Sequence, residues 1–114
     1  KRSEYVAKMI YQVRLIIKPE YEKEFNEWYE GWYIPKLMAE VPHFYSCHRY
    51  VGDLDGQNVY ITDYETTTED LDTAVAEMRT PERAPVNAMF YEWKEKAITL
   101  HESIRFTERE WGAK

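Results

Sequence analysis

Glu27-Trp28-Tyr29-Glu30-Gly31-Trp32-Tyr33-Ile34-Pro35-Lys36-Leu37-Met38 is the stretch whose reading decides the fold. Trp28, Tyr29, Trp32 and Tyr33 crowd together, and Pro35 follows. A proline inside a helical pattern removes a backbone donor and crowds the carbonyl four residues back. That residue is Gly31, whose side chain obstructs least, so a planned bend between two helical pieces is expected. On the N-terminal side, Pro19 suits a first helical position. Tyr21, Phe25, Trp28, Tyr29 and Trp32 then follow at helical spacing. Beyond the bend, Leu37, Met38 and Val41 continue an apolar stripe to Pro42.

Outward from this helix the periodicity changes. From Lys8 to Ile17 it is two, with Met9, Tyr11, Val13, Leu15 and Ile17 on one parity and Ile10, Gln12, Arg14 and Ile16 on the other, which predicts a strand. Residues 43–51 predict a second strand and 59–65 a third, joined through a turn over 52–57 in which Asp55-Gly56 supplies positive φ. Thr66 to Asp70 is capping chemistry for a short helix bearing Leu71, Ala74, Val75 and Met78. After a break over 80–85, Val86, Met89, Phe90, Trp93 and Ala97 mark another helix, and 98–106 alternates again as a last strand. Residues 1–7 read as a flexible lead-in to a single domain over 1–114. The order β-α-β-β-α(α)-β predicts an α+β, ferredoxin-like fold: a four-stranded antiparallel sheet with helices on one face.

Composition narrows the partners. A net charge of −6 over 114 residues argues against nucleic acid or an anionic membrane. No apolar run approaches the ~20 residues of a membrane span, and the polar start Lys1-Arg2-Ser3-Glu4 is unlike a signal peptide. The single Cys47 permits no internal disulfide, so a reducing, cytoplasmic setting is expected. There is no Gly-rich phosphate loop, no Ser-His-Asp order and no zinc-type spacing, so no metal and no cofactor are expected.

The uncovered face of the sheet needs an occupant. By parity it carries Ile10, Gln12, Arg14 and Ile16 from the first strand, and Thr99, His101, Ser103 and Arg105 from the last. That mixture suits neither bare solvent nor a dry core, so a second copy is expected to cover it, making a homodimer with a lined cavity.

The run Phe25-Asn26-Glu27-Trp28-Tyr29-x-x-x-Tyr33-Ile34-Pro35-x-Leu37, followed by Val41-Pro42-x-Phe44-x-Ser46-x-x-Arg49-Tyr50, resembles the dimeric α+β barrel superfamily. It looks most like the ethyl-tert-butyl-ether-degradation-type branch, with antibiotic-biosynthesis monooxygenases, muconolactone isomerases and small polyketide cyclases as cousins. There the helix reads Trp-Tyr-x-x-x-His-Ile-Pro and the strand opens Pro-Gly-Phe. Here Tyr33 stands in the histidine's place and His43 in the glycine's. The resemblance implies the barrel dimer, while the superfamily hosts many chemistries.

Three residues are candidates for catalysis. Tyr33, with a phenol pKa ordinarily near ~10, is a poor base but a good donor to an oxyanion. His48 and His101, titrating near ~6.5, are candidate bases; the alternative for each is a surface or interface histidine. Arg14 needs a carboxylate or a ligand anion, with Asp63 or Glu102 as its structural partner. Asp63 is either that partner or a half-buried base. Tyr60 and Tyr64, with Trp28 and Trp32, are packing residues that also suit the flat wall of a pocket. Cys47 reads as a small strand residue. The expected function is cofactor-independent proton-transfer chemistry, of isomerase, cyclase or lyase type, on a hydrophobic aromatic or ketone-bearing molecule. A cofactor-free monooxygenase and a non-catalytic binding module are the alternatives.

Overall fold

A computed structural model describes residues 6–112; of the expected lead-in, residues 1–5 lie outside the described part. Strand β1 (Lys8–Ile17) leads through a 3-10 turn at Pro19–Tyr21 into α1 (Glu22–Trp28), a π-helical segment (Tyr29–Tyr33) and α2 (Ile34–Glu40). Strands β2 (Ser46–Leu54) and β3 (Gln57–Thr67) form a hairpin. Helix α3 (Leu71–Met78), a 3-10 turn (Pro81–Arg83), α4 (Ala84–Ala97) and β4 (Ile98–Thr107) complete the chain. The strands lie in the order β2-β3-β1-β4, all antiparallel, with the helices on one face: the ferredoxin-like arrangement.

The hairpin turn is tighter than its sequence suggests. Only Asp55 (φ 51°) and Gly56 (φ 84°) separate the strands, the two positive-φ positions of a type I′ turn. Strand β2 starts later than expected, at Ser46. Residues 43–45 are diverted after Pro42, so that Phe44 is buried between Tyr11 and Tyr64, at ring centroid distances of 6.0 and 5.2 Å.

The bend takes the form of a π turn. The Ile34 N–H donates to the carbonyl of Tyr29, five residues back. This explains a spacing that an α-helix alone would not tolerate. Phe25, Tyr29, Tyr33 and Leu37 are all buried at intervals of four. In an α-helix each such step drifts about 40°, roughly 120° over three steps. One extra residue in a π turn takes back about 100°, which returns Leu37 to the core. Gly31 is not sterically required: a Cβ there would meet nothing within 4 Å.

Residues directly opposite in an antiparallel pair point to the same side. On β1, Met9, Val13, Leu15 and Ile17 are buried toward the helices, together with Thr62, Tyr64 and Thr66 of β3. The register of β4 corrects the expected assignment of its two sides. His101 is opposite Leu15, and Ser103 opposite Val13, so both face the helices. Leu100, Glu102, Ile104 and Phe106 share the open face with Ile16, Arg14, Gln12 and Ile10. Parity fixes which residues of a strand go together, but the pairing decides which way each set points.

Candidate functional site

The helix-facing side of the sheet does not close on the helix layer everywhere. Between β1, β3, β4 and the helices lies a cavity of about 150 Å³, on the order of the space that holds a single aromatic ring. Tyr29, Tyr33 and Leu37 form one wall, a consequence of the π turn. Tyr11 and Tyr64 form the sheet side, and Phe90 of α4 closes the back. The polar end is supplied by His101 and Ser103 of β4, with Arg79 and Asn87 at the mouth.

Two of the expected catalytic groups therefore share this cavity. The rings of Tyr33 and His101 both pack on Phe90, with centroids 5.8 and 5.2 Å from it. Burial pushes the Tyr33 phenol well above its ordinary pKa, and the neighbouring Tyr29 adds to the rise; Arg83 pulls the other way. Burial also lowers the His101 pKa, with the Lys94 charge acting in the same direction. At neutral pH the cavity thus presents un-ionised phenols and a neutral imidazole. Tyr29 and Tyr64 complete the row, their hydroxyls 3.4 Å apart and both held un-ionised chiefly by burial. A neutral imidazole can accept a proton, and a phenol O–H can donate a hydrogen bond to a negative oxygen.

Behind Tyr33 sits a residue that sequence patterning gave no reason to single out. Arg83 is 1% exposed, with Nε donating to the Met78 carbonyl (3.1 Å) and Nη1 to Glu40 (2.5 Å). Arg49 is similar: its guanidinium lies between the Tyr29 and Tyr60 rings, 4.7 and 4.6 Å from their centroids, and is tied to Asn26 and Glu30. An isolated arginine in a turn or strand reads as surface; only the packed aromatics around it show otherwise.

The other expected site residues lie elsewhere. His48 is exposed on the open face, paired in register with Asp63. There Arg14 Nε donates to Gln12 Oε1 (2.7 Å) and Gln12 Nε2 to Asp63 Oδ1 (2.8 Å), so Gln12 stands between the expected ion-pair partners. Trp28 and Trp32 stack on each other at 5.9 Å, with Trp93 beside Trp28 at 6.0 Å. Neither lines the cavity, although Trp28 backs its wall, 5.1 Å from the Tyr33 ring and 6.3 Å from that of Tyr29. Tyr60 contacts Arg49 and bonds Glu22 rather than lining the cavity. Of the expected pocket wall, Tyr64 lines the cavity. Among the described residues, no three His, Cys, Asp or Glu side chains are grouped as a metal site needs. Nor is any helix long and apolar enough to cross a membrane.

No family model and no curated protein matches the chain. Two solved structures do. One is a protein assigned as an antibiotic biosynthesis monooxygenase from Bacteroides thetaiotaomicron, with TM-score 0.57, 21% identity and 94% of each chain covered. The fold is shared. The other is an ethyl tert-butyl ether degradation family protein from Bacillus halodurans, with TM-score 0.56 and 22% identity, covering 92% of this chain and all of that one. Both have the ferredoxin-like fold that the order of elements predicts. At such identities the likeness extends to the fold and not to the reaction.

Proposed function

We propose that this chain is a small enzyme that moves a proton next to a carbonyl group of an aromatic or ketone-bearing molecule. The observation that carries it is the convergence of Tyr33 and His101 on one largely aromatic cavity. A ring nitrogen of neutral His101 takes the proton from the carbon next to the carbonyl. The electron pair moves onto the carbonyl oxygen, and the Tyr33 hydroxyl donates a hydrogen bond to that enolate. Return of the proton to another position completes an isomerisation, with no net oxidation. The base is assigned to His101 rather than His48, because His48 opens onto the other face of the sheet. The test is exchange of the α-protons of acetophenone, a one-ring ketone, in D2O, followed by NMR: exchange faster than in buffer supports the proposal, and no acceleration at any protein concentration removes it.

A second reading is a cofactor-free monooxygenase, favoured by the neighbour assigned to that activity. Oxygen uptake with an electron-rich phenolic substrate would select it over proton transfer. A module that retains a small molecule without converting it is the remaining alternative.

The proposal includes a homodimer through the open sheet faces. Half-buried Ile10, Ile16, Ile61, Leu100 and Ile104 surround the Arg14–Gln12–Asp63 chain there, and Phe106 is 39% exposed. Such a mixed apolar face suits burial against its own copy. Sedimentation at twice the 13.8 kDa chain mass supports it, and a single-chain mass at micromolar concentration removes it.

A further inference from the structure

The mouth of the cavity says what kind of molecule enters, on the premise that this cavity is the ligand site. It is built at the C-terminal end of α3. The Met78 carbonyl accepts from both Arg83 Nε and Asn87 Nδ2, each at 3.1 Å, so the 3-10 turn and α4 both hold that end. The Arg79 N–H donates to the Ala76 carbonyl (3.0 Å), and Thr80 Oγ1 to that of Glu77 (3.4 Å). The backbone on either side of Arg79 is therefore fixed. Its side chain is not: it is exposed, lines the cavity, and has no hydrogen bond or ion pair among the described residues. Arg14, Arg49, Arg83 and Arg105 each have one.

The charge around the cavity runs against the whole chain. The protein carries 21 acidic and 15 basic residues, yet among the described residues no Asp or Glu lines the cavity. Arg79 at the mouth and Lys94 toward His101 act on it instead, while Arg83 behind Tyr33 is paired with Glu40. A guanidinium on a fixed backbone, facing an aromatic slot without counter-charge, is suited to a planar carboxylate, which it can take with two parallel N–H···O bonds.

We propose that Arg79 determines specificity at this cavity by binding the carboxylate of a flat aromatic acid whose ring lies among Tyr29, Tyr33, Tyr64 and Phe90. The Ser103 hydroxyl, also at the polar end, is the second donor. Arg79 binds the ligand away from the reacting carbon, so it acts on affinity rather than on proton transfer.

Isothermal titration with benzoate and its neutral counterpart benzamide, whose single ring matches a cavity of about 150 Å³, tests this. At low salt the wild-type protein should bind the carboxylate about tenfold more tightly, the scale of one charge-assisted contact. Arg79→Gln should remove that preference and leave the amide's affinity unchanged. Arg79→Lys, which keeps the charge but loses the fork, should retain only part of it and guards against a Gln variant that fails to fold. Equal affinity for both compounds in the wild type, or a preference that survives in Arg79→Gln, overturns the proposal and leaves the cavity as a ligand site. If neither compound binds at millimolar concentration, the cavity reading and the proposal fall together.

Discussion

Tyr33 and His101 lie far apart in sequence and pack against the same ring, that of Phe90, at centroid distances of 5.8 and 5.2 Å. One comes from the π turn of the long helix and the other from the last strand, so the pair exists only once the sheet, that helix and α4 have assembled. Phe90 is the piece that fixes their separation.

Phe90→Ala should therefore affect both packing and site. Phe90 is buried and also contacts Tyr29. Truncating a buried phenylalanine removes about 3–5 kcal/mol of stability, to be read from urea unfolding. Loss of less than about 1 kcal/mol would mean that the ring is not part of the core.

Gly31→Ala should stabilise. The site is helical, Gly31 has an ordinary negative φ, and an added methyl meets nothing within 4 Å. Alanine in place of glycine in a helix interior is worth about 0.5–1 kcal/mol. Deleting Gly31 instead should rotate Leu37 by about 100° out of the core and destabilise by several kcal/mol. Destabilisation by Gly31→Ala would show that the bend does need glycine.

The acid side of stability and activity should carry the mark of His101. Its folded pKa is lowered by burial, so below the ordinary value near ~6.5 the unfolded chain binds the extra proton more readily. That contribution is fully present above ~6.5 and is lost as pH falls through the lowered folded value. His101→Gln should flatten this part of the stability–pH curve. The acid limb of the exchange rate should likewise lie below the usual histidine range; a limb at or above it would contradict the assignment of the base.

Cys47 should be sluggish toward alkylating reagents. Burial pushes its thiol up to about 11, leaving little thiolate at pH 8. Labelling by iodoacetamide at the rate of a free cysteine would show that β2 opens at that point.

Much of the fold is legible because β1 and β4 alternate cleanly, unlike β2, and Asp55-Gly56 has few other uses. The site is less so. Alternation in β4 groups His101 with Ser103 and Arg105, yet either parity could have faced the helices; long-range pairing with β1 decides it. The π turn did leave a trace, in the unbroken spacing of four from Phe25 to Leu37, which is too regular for an α-helix. Arg79 and Arg83 left none, since their importance comes from the aromatic slot and the helix end that they meet only in three dimensions.

The most direct test of the central claim compares variants in the α-proton exchange of acetophenone. His101→Gln should slow the catalysed exchange by about 10²–10⁴-fold and Tyr33→Phe by about 10²-fold or more, while His48→Gln on the opposite face leaves it unchanged. Exchange that survives in His101→Gln, or that is lost in His48→Gln, would contradict the account.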